Sequence, residues 1–135
     1  MIQVFCDQRG SGKTKELIRM ANDNCKRNKG NIVYIDDDNR VMFELDNKIR
    51  FINATDFKID NYDSFYGFLC GILSEDYDIE EIYIDGLSNI IKQNLQNAAH
   101  LFYWFEMISE KHDVDFYINI NRDTEVPEFI LKYVA

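Results

Sequence analysis

An apolar run suited to a buried strand, Ile2-Gln3-Val4-Phe5-Cys6, leads into the turn Asp7-Gln8-Arg9-Gly10-Ser11-Gly12-Lys13-Thr14. A helix-forming segment, Lys15-Glu16-Leu17-Ile18-Arg19-Met20-Ala21, follows at once. Strand, glycine turn and helix in that order are the parts of a phosphate-binding loop. Gly10 and Gly12 let the backbone curl so that successive N–H groups point into one concavity. The helix that follows adds its unpaired N–H groups and the positive end of its dipole. Arg9, Gly10, Ser11, Gly12, Lys13 and Thr14 are therefore the candidate binding residues. Lys13 is expected on the outer phosphates and Thr14 on a magnesium ion.

The motif G-x-x-x-x-G-K-[ST] calls for glycine where this chain has Asp7. A carboxylate there lies near the place where phosphate charge collects, and like charges repel. Aspartate tolerates unusual backbone angles better than most residues, so the loop can still form. A plain Ser/Gly-rich turn before an amphipathic helix stays open as the alternative.

With 135 residues, 46% of them hydrophobic and 14% aromatic, the chain is expected to form one domain over 1–135 with a sizeable core. Its net charge of −9 and pI near 4.6 disfavour nucleic acid and anionic membranes as partners. The anion site around Lys13 has to be built locally, against that field. Cys6, Cys25 and Cys70 lack C-x-x-C spacing, which suits reduced thiols and a cytoplasmic location. No apolar run approaches the ~20 residues that cross a bilayer, and with its direct entry into a strand the chain is expected to carry no signal peptide.

Along the chain, Leu17, Ile18, Ala21 and Cys25 recur at helical spacing, with Lys29-Gly30 as the cap. Strands are expected near 2–6, 31–36, 48–53, 81–85 and 114–120. The second ends in Asp36-Asp37-Asp38, which reads either as a solvated acidic turn or as carboxylates on the ligand-binding edge of a sheet. Residues 40–47 fit a strand or a short helix equally. Asp60-Asn61 opens a helix from Tyr62 to Leu73, where Gly67 and Gly71 are expected to allow close packing on the sheet. Ile82-Tyr83-Ile84-Asp85 is an apolar strand ending in aspartate, so Asp85 joins Thr14 as a candidate magnesium residue. Gly86 stands where many ATPases carry a catalytic glutamate. A long helix is expected from Asn89 to His112, with a stripe of Ile91, Leu95, Ala98, Phe102 and Phe105. The aromatic face at Tyr103, Trp104 and Met107 is either core or a contact for a homodimer or protein partner. His100 and His112 have no metal-ligand spacing. Asn119 and Asn121 on the last strand, with Arg122 beside them, are the catalytic candidates. Thr124 is expected to cap a final helix with Pro127 in its first turn.

Together, the Gly12-Lys13-Thr14 loop and the Ile82–Asp85 strand make the chain resemble a P-loop NTPase. The pieces Arg9-Gly-Ser-Gly-Lys-Thr-Lys, Asn31-Ile-Val-Tyr-Ile-Asp-Asp-Asp, Tyr62-Asp-Ser-Phe-Tyr-Gly-Phe and Asp78-Ile-Glu-Glu-Ile-Tyr-Ile-Asp-Gly are also similar to small bacterial ATP-binding proteins loosely labelled twitching-motility, or PilT-like. The resemblance implies an α/β, three-layer P-loop NTPase-like fold with a mostly parallel, about five-stranded sheet flanked by helices. In it the last strand falls between the loop strand and the Asp85 strand. It implies ATP or GTP with Mg²⁺ as ligands, and a slow NTPase acting as a switch or regulator. Two alternatives stand beside it. One is a degenerate, non-catalytic interaction scaffold, favoured by Asp7 and Gly86. The other is a small-molecule or nucleoside kinase, disfavoured because the arginines are scattered along the chain.

Asp7 gives a direct test. A like charge at ~5 Å from phosphate costs about 3 kcal/mol at an effective dielectric of 20, before partial compensation by Arg9, Lys13 and magnesium. Asp7→Gly should tighten nucleotide binding by roughly 1 kcal/mol, about fivefold, with Asp7→Asn giving part of that gain. Calorimetric titration checks it; weaker binding by Asp7→Asn would make the carboxylate a ligand.

Overall fold

The computed structural model describes residues 1–7, 12–27, 30–121 and 125–135. Strand β1 (Ile2–Asp7) is followed by helix α1 (Lys13–Arg27), β2 (Asn31–Asp36), a 3₁₀ turn (Asn39–Glu44) and β3 (Arg50–Asn53). Then come α2 (Tyr62–Glu75), β4 (Ile79–Ile84), the short α3 (Leu87–Ile90), a second 3₁₀ turn (Leu95–Ala98), α4 (Ala99–His112), β5 (Asp115–Asn121) and α5 (Glu128–Leu131).

The strands form one sheet in the order β1-β5-β4-β2-β3, with every pairing parallel. The last strand therefore lies between the loop strand and the Asp85 strand, as the resemblance implied. Alternation along the strands divides the core into two layers. Tyr34, Tyr83 and Tyr117 pack with Leu17, Ile18 and Ala21 of α1 on one face. Val33, Ile35, Ile82, Ile84, Phe116 and Ile118 face α2, α4 and α5 on the other. Because both faces are covered, the central strands read as nearly unbroken apolar runs. The outer edge of β1 meets the chain's last residues: Val4 N–H donates to Tyr133 C=O at 2.9 Å, and Ala135 N–H donates to Val4 C=O at 3.1 Å.

Local sequence explains most element boundaries. Asn61 caps α2 with a reciprocal capping box to Ser64. At residues 40–47 the helical alternative holds, as the 3₁₀ turn: Asp38 caps it by accepting from Arg40 N–H, and the turn buries Val41 while Phe43 stays exposed. None of the three cysteines is in a disulfide, and all are half-buried.

Three expectations are corrected. The helix expected over 89–112 is broken: Ile91 is extended, and Asn94 starts a new turn by accepting from Gln96 N–H. The polar Lys92-Gln93-Asn94 segment offers backbone-bonding side chains where a helix interior needs none, and Tyr62 donates its hydroxyl to Gln93 C=O at 3.1 Å. Ile91, Leu95, Ala98, Phe102 and Phe105 are nevertheless all buried. Gly67 and Gly71 face open space: a Cβ added at either would meet nothing within 4 Å, so they make no close approach to the sheet. Pro127 precedes α5 as its cap instead of lying inside its first turn. The expected caps Lys29 and Thr124 lie outside the described residues.

Gly30 is the glycine that packing does require. A Cβ there would sit 2.5 Å from Asp78 C=O and 2.3 Å from the Glu80 side chain. The same crossing is closed by Asn31 N–H donating to Asp78 C=O at 2.7 Å. Gly30→Ala should therefore cost about 1–3 kcal/mol, read as a lower urea midpoint at unchanged m-value. An unshifted midpoint would mean the turn has room for a methyl group.

Candidate functional site

The carboxyl ends of four neighbouring strands place the backbone of Asp7 and the side chains of Asn121, Asp85 and Asp36 along one edge of the sheet. Ligands of parallel α/β sheets bind at such an edge. The amino end of α1 opens onto it. Gly12 stands at φ +86°, a left-handed conformation that glycine adopts without strain, and its C=O accepts the Glu16 N–H at 3.1 Å. That turn starts α1 at Lys13, so Lys13 and Thr14 sit in its first turn.

Asp85 is the centre of the arrangement. It is buried, and its own N–H extends the ladder by donating to Ile35 C=O at 2.9 Å. Its Oδ1 accepts from Thr14 Oγ1 at 3.2 Å and from Asn119 Nδ2 at 3.1 Å. Its Oδ2 accepts from Tyr34 Oη at 2.8 Å. Asn119 Nδ2 also donates to Lys13 C=O at 3.2 Å, which ties β5 to the start of α1. A second chain runs from Lys13 Nζ, which donates to Asn121 Oδ1 at 2.5 Å, to Asn89 Oδ1, which accepts from Asn121 Nδ2 at 3.4 Å. Burial, and next the charge of Asp85, hold the Tyr34 phenol protonated far above its ordinary range.

The donor set fits a hydrated magnesium ion. Thr14 gives its proton to Asp85, which leaves the hydroxyl lone pairs for a cation. Asn119 Oδ1 is buried and accepts no hydrogen bond from the described residues, and waters around a cation are donors. Among the described residues no group of three or more His, Cys, Asp or Glu is arranged to hold a metal. Magnesium needs none, since it keeps waters and takes one or two protein oxygens beside substrate phosphates.

The acidic run divides by role. Asp38 caps the 3₁₀ turn and pairs with Arg40 at 2.5 Å, both near the surface. Asp36 is buried at the end of β2, and its carboxyl is pushed up to about 9. Burial is the main cause; a hydrogen bond with Asp37 and the charge of Asp85 add to it. Gly86 turns the chain out of the strand at φ +72°. A glutamate at that position would carry left-handed strain, so the backbone itself explains the absent carboxylate.

Of the residues expected from sequence, Thr14, Asp85 and Asn119 meet directly, and Lys13 meets Asn121. Arg9, Gly10, Ser11 and Arg122 lie outside the described residues, as does the side chain of Asp7. Tyr34 and Asn89 were missed as site residues, and the sequence leaves Asp36 open between a solvated turn and the ligand-binding edge. Only Asp36 carried a signal, as a carboxylate ending a strand. His100 and His112, at the two ends of α4, are exposed.

No protein-family model matches the chain, and no curated protein matches it in sequence. Among solved structures, it is similar to the flagellar accessory protein FlaH from Methanocaldococcus jannaschii, with a TM-score of 0.65 and 16% sequence identity. The match covers 97% of this chain and 65% of that one, so the chain spans about two thirds of the neighbour's length. The likeness is one of fold: an α/β, P-loop NTPase-like architecture with a parallel five-stranded sheet between helices. It does not extend to the PilT-like group in particular.

Gly86→Ala should lose about 1–2 kcal/mol of stability from the left-handed backbone, with further crowding because its Cβ would lie 3.1 Å from Asn89 Nδ2. Equilibrium denaturation measures the loss. A neutral result would mean that the turn after Asp85 relaxes without glycine.

Proposed function

We propose that the chain binds a nucleoside triphosphate, ATP or GTP, with Mg²⁺ at this edge and hydrolyses it slowly as a cytoplasmic switch or regulator. The observation that carries the reading is the meeting of Thr14 with Asp85 beneath the amino end of α1. A chance Gly-Lys-Thr turn has no reason to find a buried aspartate on a strand two positions away in the sheet. The FlaH-like fold supports nucleotide binding in general terms.

In this reading the loop N–H groups from Arg9 to Gly12, with the α1 dipole, hold the phosphates. Lys13 exchanges its bond to Asn121 for the outer phosphates, and Asn121 and Asn89 are then placed to meet the terminal phosphate or a water beside it. Thr14 and Asp85 would hold Mg²⁺, which supplies charge neutralisation on the phosphate oxygens. Asp36 adjoins Asp85 from the neighbouring strand, so its carboxyl group, through its carbonyl oxygen, is the candidate to orient an attacking water in the absence of an acidic residue at 86. Turnover should fall well below the ~10 s⁻¹ typical of enzymes.

A non-catalytic scaffold is the second reading, favoured by Gly86 and by the α4 surface. There Tyr103 and Met107 are exposed, while Trp104 is half-buried against Tyr66 with ring centroids 4.1 Å apart. A homodimer or protein partner would sit on that surface. Binding of nucleotide with no phosphate release by the pure protein would select this reading.

Mg-ATP or Mg-GTP at ~100-fold over Kd should stabilise the fold by about 2.7 kcal/mol, several degrees in Tm. Lys13→Ala should abolish the shift while leaving the unliganded fold intact. The absence of any shift with millimolar nucleotide would overturn the proposed site.

A further inference from the structure

Tyr34 is wholly buried in the middle of β2, and its ring is the first of a row. It stacks on Tyr83, which stacks on Tyr117, with centroids 5.8 and 4.7 Å apart and ring planes within 10° and 16° of parallel. The three are register partners on adjacent strands, so the row lies flat on the sheet beneath α1. Their hydroxyls diverge. Tyr83 donates toward the amino end of the sheet, to Glu81 at 2.7 Å. Tyr34 donates toward the carboxyl end, to Asp85 Oδ2 at 2.8 Å.

A carboxylate turns easily about its last bond, whose torsional wells are broad and two-fold. Thr14 and Asn119 both bond Oδ1 and so act on one oxygen alone. A donor on Oδ2 is needed to fix the plane, and Tyr34 supplies it from a ring that stacking holds in place. The donor is neutral. It orients Asp85 without cancelling the charge a cation needs, which a lysine or arginine in the same place would do.

We infer that Tyr34 is a positioning residue for the metal half of the site: through its hydroxyl it sets the rotation of Asp85, and so the gain in nucleotide affinity that Mg²⁺ brings. This rests on the nucleotide reading above. Groups that orient a metal ligand from behind typically change metal affinity about 10–100-fold when removed. Tyr34→Phe deletes the hydroxyl and keeps the ring and its stack. Tyr83→Phe is the matched control, since it removes a hydroxyl from the same row that bonds Glu81 instead.

The test is ATP and GTP affinity, by calorimetry, with Mg²⁺ and with EDTA, for the wild type and both variants. In Tyr34→Phe the ratio of the two affinities should fall about tenfold, with the EDTA affinity unchanged. In Tyr83→Phe the ratio should stay at the wild-type value. A purely structural role would move both affinities of Tyr34→Phe alike, or lower the ratio equally in the two variants, and either result overturns the inference. An unchanged ratio in Tyr34→Phe overturns it as well. If the wild type itself binds no nucleotide in either condition, the nucleotide reading falls and takes this one with it.

Discussion

A buried carboxylate at the end of a central strand governs the organisation of this molecule. A carboxylate is costly away from water unless donors surround it, and among the described residues the side chains that donate to Asp85 come from three different elements: Thr14 on α1, Tyr34 on β2 and Asn119 on β5. Satisfying one side chain therefore fixes α1 and two strands relative to β4. The amino end of α1 is brought to the carboxyl edge by the same contacts that make Asp85 tolerable.

The strand order makes this possible. With β5 between β1 and β4, Asn119 lies one strand from both the loop and Asp85. It bonds Asp85 and Lys13 C=O through the same amide nitrogen. Two residues further along the same face, Asn121 takes Lys13 Nζ. A strand whose last residues alternate isoleucine with asparagine, as Ile118-Asn119-Ile120-Asn121 does, would be poor in a fully buried sheet. Here the asparagines are where the edge needs neutral donors and acceptors.

The electrostatics are unusual for an anion site. The chain carries −9 overall, and the edge holds Asp85 and Asp36 beside each other, with the Asp36 carboxyl raised to about 9, chiefly by burial and further by the Asp37 hydrogen bond and the charge of Asp85. Positive potential comes from Lys13 and from the helix dipole, which are local and short-ranged. A divalent cation between Thr14 and Asp85 would offset much of that negative field, which is a physical reason for nucleotide and metal to arrive together.

The sequence by itself determined the parts whose signals are local. Apolar runs of strand length, the Gly12-Lys13-Thr14 turn before an amphipathic helix, Asn61 as a cap, and an aspartate closing the Ile82–Ile84 run all depend on near neighbours. They were enough to place five strands and to choose Thr14 and Asp85 as a pair. The tertiary structure decided what depends on distance across the sheet. Tyr34 reads as one more apolar strand residue until its hydroxyl is seen on a neighbouring strand's carboxylate. Asn89 reads as a helix start until Asn121 meets it. Asp36 and Asp38 are equivalent as acidic residues, but one strand register buries the first and a turn leaves the second half-buried. The break at Ile91–Asn94 also came from packing: a continuous stripe of buried side chains fits a bent path as well as a straight helix, because periodicity records which residues are buried and not whether the backbone between them is unbroken.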